Sequence, residues 1–189
     1  MNQPAKAMTD GRRARGERKR ELIITATLRI VEREGVAGVT HRSVAREAEV
    51  PASSVCYYYA TLDDLLVAAL TEALDAYIVE LRGLLGSGRD GIEALAQLIA
   101  AAGGPERHRA LAERELTLLA SRRPALRPIA TRWKDTVADV ARGYTDDPLA
   151  VESLVATSDG LCAKALLGAE NLTEREIGDV LRHSLRRGK

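Results

Sequence analysis

From Glu17 to Leu185 the apolar residues recur three and four positions apart, and nowhere do they alternate over the length of a strand. That spacing gathers side chains on one side of a helix and scatters them over both faces of a sheet. The chain is therefore expected to be all-α. Breaks divide it into helices: Gly35, Val50-Pro51, GSGRDG at 86–91, Gly103-Gly104-Pro105, Pro124 with Pro128, and TDDP at 145–148. A length of 189 residues suffices for one or two compact domains with real cores.

A first helix is expected from about Glu17 to Glu34, with Ile24, Leu28 and Val31 as its stripe and Leu22 and Ile30 at the edges. Gly35 ends it in a left-handed conformation. Thr40 is the expected N-cap of a short helix ending near Glu49, with Val44, Ala45 and Ala48 inward. Pro51 then opens a second short helix, about Ala52 to Tyr58. Thr61 caps a long helix through Leu66, Leu70, Leu74, Tyr77 and Leu81, with Asp63 and Asp64 complementing its dipole. Two short helices in tandem, behind a longer one and ahead of a very long one, describe a helix-turn-helix. The second short helix presents its start to a DNA major groove. The run Tyr57-Tyr58-Tyr59 fits this, because consecutive helical positions point in different directions and one ring at least must face water or a partner.

Charge agrees. Residues 1–50 hold 11 Lys/Arg against 7 Asp/Glu, and the remainder is mildly acidic although the whole chain is only +1. RRARGERKR, Arg12 to Arg20, concentrates six cations in nine residues. It reads either as a solvated tail or as an arm following phosphates, with Arg12, Arg13 and Arg15 as contacts.

Residues 17–66, through VEREGVAGVTHRSVAREAEV and YYYATLDDLL, resemble the DNA-binding domain of the TetR family of transcriptional repressors. The resemblance covers about the first third of the chain. It implies an all-helical homodimer on a palindromic double-stranded DNA operator, with half-sites one helical turn or more apart, ~34 Å or longer. The implied organisation is a flexible basic arm (1–16), a three-helix helix-turn-helix domain (17–66) and a C-terminal helical effector-binding and dimerisation domain (67–189). By position, Thr40, His41 and Arg42 fall at the backbone or groove edge. Ala52, Ser53 and Ser54 fall at the base-facing start of the recognition helix. Tyr57 takes a phosphate-bonding position, Tyr59 a core position, and Tyr58 lies between them. The sequence departs from the family at Glu49, where glycine is usual in the turn, and at Leu62, commonly lysine. Cys56 and Ala52 are also unusual at their positions.

Helices are further expected from Ile92 to Ala102, from about Glu106 to Arg122, from Pro128 to Tyr144 and from Pro148 to Leu167, and a Thr173–Glu176 capping box opens a last one. The Pro148–Leu167 helix is apolar around most of its circumference, which requires burial on two sides. A symmetric partner is the economical second surface, with Val151, Leu154, Ala156, Gly160, Leu161, Ala163 and Ala165 at the interface. Two carboxylates project onto apolar faces: Glu115 among Leu111, Leu118 and Leu119, and Asp159 among Val155, Cys162 and Leu166. Either each meets an internal partner such as Arg132, or they line an effector pocket with Trp133, Val137, Tyr144 and Cys162. Such a pocket suits a cationic or hydrogen-bond-donating small molecule.

Enzymatic function is not expected. His41, His108 and His183 are scattered, and no phosphate loop or nucleophile elbow appears. Cys56 and Cys162 show no metal spacing, so no metal and no cofactor are expected. No apolar run suits a membrane and the N-terminus has no signal-peptide pattern, so a cytoplasmic protein is expected, on the nucleoid when bound to DNA. Three functions remain: a ligand-gated repressor, a DNA-binding protein without effector, and a small-molecule-binding helical protein whose DNA binding is weak or lost.

Overall fold

The computed structural model describes the backbone of residues 4–104, 106–168 and 172–186, with side chains from residue 14 onward. Nine α-helices follow in order among them: α1 (Pro4–Glu34), α2 (His41–Glu47), α3 (Ala52–Tyr58), α4 (Leu62–Gly86), α5 (Gly91–Ala102), α6 (Arg107–Leu119), α7 (Arg127–Arg142), α8 (Pro148–Leu167) and α9 (Glu174–Ser184). Single 3₁₀ turns at Val36–Gly38 and Pro124–Leu126 precede α2 and α7, and there is no strand among the described residues. The fold is all-α, as the apolar spacing requires.

The chain divides into two compact units, Met1–Ala69 and Leu70–Lys189, with the division inside α4. In the first, α2 packs on both α1 and α3. The helix α1 begins at Pro4, well before the expected start near Glu17. Its buried stripe is Ile23, Ala26, Thr27, Ile30 and Val31, one step round from the expected Ile24 and Leu28, while Leu22 is 53% exposed. Thr27 is accommodated at zero exposure because its hydroxyl donates to the Ile23 carbonyl at 2.8 Å. Thr40 caps α2 by accepting from the Ser43 amide at 3.0 Å, and Ser43 answers by accepting from the Thr40 amide at 2.8 Å. Thr61 and Asp64 make the same reciprocal pair at the start of α4. The turn between α2 and α3 places Glu49 at φ 54, the one non-glycine residue with positive φ among those described. The sequence position where glycine is usual is thus left-handed here too.

In the second unit α5 packs on α9 and α8, and α8 on α7. The core includes Leu81, Ile92, Leu95, Ile99, Val137, Leu154, Ile177 and Leu181. Asp90 opens α5, accepting from the Ile92 and Glu93 amides. Asp147 with Pro148 opens α8, and Gly168 at φ 68 closes it. The Thr173–Glu176 capping box opens α9 as expected.

Candidate functional site

The helix α3 buries only Val55. Ala52 and Ser53 are exposed and Ser54 is half-buried, so the start of α3 meets solvent with small side chains. Thr40 and Arg42 at the start of α2 are exposed as well. His41 is half-buried, with its Nε2 2.9 Å from the Tyr59 carbonyl oxygen, which ties the start of α2 to the end of α3. The three tyrosines differ. Tyr57 is 82% exposed. Tyr58 is half-buried and meets the Tyr57 ring edge-on at 5.1 Å, while the Arg20 guanidinium lies 5.4 Å over its face. Tyr59 is half-buried in extended backbone at the end of α3. Arg15, Arg18 and Lys19 are exposed on α1. The side chains of Arg12 and Arg13 lie outside the described residues.

A cavity of about 750 Å³, counting the part open to solvent, lies within the second unit. Five helices line it: Tyr77 from α4, Leu98 and Ile99 from α5, Glu113 and Thr117 from α6, Trp133 and Val137 from α7, and Val155, Asp159 and Cys162 from α8. Of the residues expected there, Trp133, Val137, Asp159 and Cys162 line it, and Glu115 and Tyr144 do not. Tyr144 lies at the start of α5 instead, donating to Asp90 at 2.6 Å and accepting from the Ile92 amide at 3.3 Å. That hydrogen bond is the main influence holding the Asp90 carboxyl below its ordinary range. Glu115 is displaced by the rotation of α6. The inward side of α6 carries Ala110, Glu113, Leu116 and Thr117, whereas Leu118 is 62% exposed. The bulkiest leucines do not mark the inward side of α6: Ala110 and Thr117 face in beside Glu113 and line the cavity.

The two carboxylates of the cavity are in different states. Asp159 is ion-paired with Arg114, its partner rather than the expected Arg132, at 2.5 and 3.4 Å. Arg132 binds Asp75 of α4 instead. Glu113 accepts one hydrogen bond, from the Thr117 hydroxyl at 2.6 Å, and no cation lies within ion-pair distance of it among the described residues. Burial, aided by the charge of Asp159, pushes its carboxyl above the ordinary range, against the Thr117 hydrogen bond and the more distant charges of Arg114 and Lys134, which also line the cavity. Burial also pushes the Cys162 thiol up to about 12, so that sulfur stays protonated and unreactive. Cys56 is exposed on α3, and both cysteines are free.

The residues expected at a dimer interface separate into two sets. Val151, Leu154 and Leu161 are 9%, 0% and 8% exposed and belong to the core of this one chain. Ala156 and Gly160 are exposed and Ala163 is half-buried. At about 100° per residue, these three share a stripe with Leu149 and Leu167, which are 80% and 81% exposed. A Cβ added at Gly160 would meet nothing within 4 Å. Ala165 is half-buried, and its Cβ lies 3.3 Å from where one on Gly103 would stand. Among the described residues no cluster of metal-binding side chains forms, and no helix is long and apolar enough to cross a membrane.

Residues 86–187 match the family profile described as "Tetracyclin repressor-like, C-terminal domain". The chain belongs to the TetR family. It is 38% identical to SCO1917, a TetR-family member from Streptomyces coelicolor A3, covering 89% of this chain and 98% of that one at a TM-score of 0.79. The multidrug binding protein EbrR, solved with imidazole, is 37% identical over 90% of this chain and 97% of its own, with a TM-score of 0.75. EbrR solved with ethidium gives 38% identity, 88% and 97% coverage and a TM-score of 0.74. No curated protein matches the chain. TetR proteins are regulators rather than enzymes, which agrees with the scattered histidines of the sequence.

Proposed function

We propose that this TetR regulator is a homodimeric repressor whose grip on a palindromic operator is released by flat, apolar cations that enter the cavity. The observation that carries this reading is Glu113, a carboxylate on an apolar cavity with a hydroxyl partner and no counter-ion in contact. A buried charge of that kind costs free energy until a cation meets it. Trp133, whose ring centroid lies 5.8 Å from that of Tyr77, supplies an aromatic face for the same cation. Asp159 contributes less, since Arg114 neutralises it. The reading keeps the acidic pocket expected from the sequence, with Glu113 in the place given to Glu115. The relative EbrR has been solved with ethidium, malachite green and proflavin, three aromatic cations, which supports the same ligand class.

Operator reading is assigned to the start of α3, Ala52, Ser53 and Ser54, with Tyr57, Thr40 and Arg42 on phosphates. The His41 ring, engaged with Tyr59, positions α3 instead of contacting DNA. The partner subunit packs on the exposed α8 stripe of Leu149, Ala156, Gly160, Ala163 and Leu167, where small central residues admit a close helix approach. A ligand releases DNA only if it binds the DNA-incompetent conformer more tightly.

Selection of bound sequences from random duplexes, followed by mobility shift with added ethidium, tests the proposal. A palindromic site released by ethidium is the expected result. Ethidium binding with no DNA selected would support the small-molecule-binding alternative, for which the carboxylate of Glu49 beside the recognition helix is the favouring feature. A selected site that no aromatic cation releases would overturn the assignment of the cavity.

A further inference from the structure

We infer that the Tyr77 hydroxyl is the hydrogen-bonding group by which the cavity selects among cations, favouring aromatic cations that carry exocyclic N–H groups over fully alkylated ones; this rests on the cationic ligand class proposed above. Tyr77 lines the cavity and is only 8% exposed. Its ring is held between two neighbours, Trp133 at 5.8 Å between centroids and the Arg109 guanidinium 4.0 Å over its face. Arg109 is itself anchored by Glu106 at 3.4 Å and Glu80 at 3.8 Å. The ring is thus packed on both sides, and its hydroxyl is covered and without a hydrogen-bond partner among the described residues, so a ligand reaches it by displacing the cavity side chains that cover it. Such groups are rare in folded proteins, because the loss of water goes uncompensated. One nitrogen of Arg109, Nη2, is also buried without a partner, but Arg109 does not line the cavity.

Burial pushes the phenol above its ordinary range, so it stays neutral and offers one donor and an acceptor oxygen. Glu113 draws in cations, and aromatic cations are rich in donors and poor in acceptors. The free valence that such a ligand can fill is the Tyr77 oxygen, accepting from an amino group. A dimethylamino group of the same ring system brings no N–H and leaves the hydroxyl unmet.

Proflavin and acridine orange test this, since they share an acridine ring and positive charge, while the two amino groups of the first are dimethylated in the second. Both are titrated by fluorescence against the full-length wild type and Tyr77→Phe. The expected result is that Tyr77→Phe weakens proflavin about tenfold and leaves acridine orange unchanged. The ligand-free variant should melt at or above the wild-type temperature, because the hydroxyl it loses has no protein partner. Equal weakening of both dyes would make Tyr77 a packing residue only and overturn the inference, as would no change for either. A clearly lower melting temperature of the ligand-free variant would show that the hydroxyl already has an internal partner, with the same consequence. Failure of both dyes to bind wild type would overturn the cationic cavity itself, and this inference with it.

Discussion

The surface proposed to read DNA comes from one run of chain, residues 40–58, whose side chains Thr40, Arg42, Ala52, Ser53 and Tyr57 are turned to solvent. The cavity proposed to hold the effector draws on five helices, from Tyr77 on α4 to Leu166 on α8. The first needs only that two short helices start and stop correctly, which Thr40, Pro51 and Thr61 arrange locally. The second needs volumes to be right across many helices at once. Substitutions should therefore act locally in the first unit and propagate in the second. A third surface, the exposed α8 stripe, sits one residue step away from the second unit's core, so under the proposed dimer neighbouring α8 positions would separate folding from assembly.

Leu154 and Ala156 provide the sharpest break. Leu154 is fully buried among α5, α7 and α9. Leu154→Ala should cost about 2–5 kcal/mol of stability, read by chemical denaturation; a loss under ~1 kcal/mol would show that Leu154 is not a core residue. Ala156→Arg puts a charge on the exposed stripe and should leave each subunit folded but monomeric. Operator affinity would then fall roughly 100-fold or more through loss of two-site binding, measured by sedimentation and mobility shift. A dimer that survives Ala156→Arg would place the interface elsewhere.

Glu49 gives the smallest effect and lies in the local unit. Its φ of 54 carries strain that glycine lacks, and its side chain is exposed. Glu49→Gly should stabilise by about 1 kcal/mol and tighten operator binding, because a carboxylate near phosphate is removed. An unchanged or lower melting temperature would contradict the strain assigned to this turn.

Local features were legible in the sequence: the helix-turn-helix, the N-caps at Thr40 and Thr61, the Thr173–Glu176 capping box and the Pro148 start of α8 all follow from residues within a few positions of one another, and the family resemblance adds the turn at Glu49. The rotation of the longer helices was not. On α1 the small and polar Ala26 and Thr27 face inward, and on α6 Ala110, Glu113 and Thr117 do, so counting large apolar residues misplaced both faces. That error cost Glu113. Tyr144, expected in the cavity, lies outside it for a related reason, since its partner Asp90 is 54 residues away and only the folded chain joins them. The apolar circumference of α8 does not say which side the chain itself covers; that Leu154 is buried and Ala156 exposed follows only from the packing of α5, α7 and α9.

Glu113→Gln tests the central claim most directly, with ethidium binding followed across pH and operator binding followed beside it. Because burial raises its folded-state pKa, ionised Glu113 destabilises the folded protein. The free protein is favoured below the unfolded-state pKa, and that advantage is lost as pH rises through the folded value. Ligand binding has the opposite sense, since only the ionised carboxylate attracts a cation. Wild-type affinity for ethidium should thus rise with pH through a window just above the ordinary carboxylate range, and binding should release protons there. Glu113→Gln should bind ethidium roughly 10- to 100-fold more weakly, lose that pH dependence, and hold its operator as wild type does. Unaltered ethidium affinity with an unaltered pH profile in Glu113→Gln would contradict the claim.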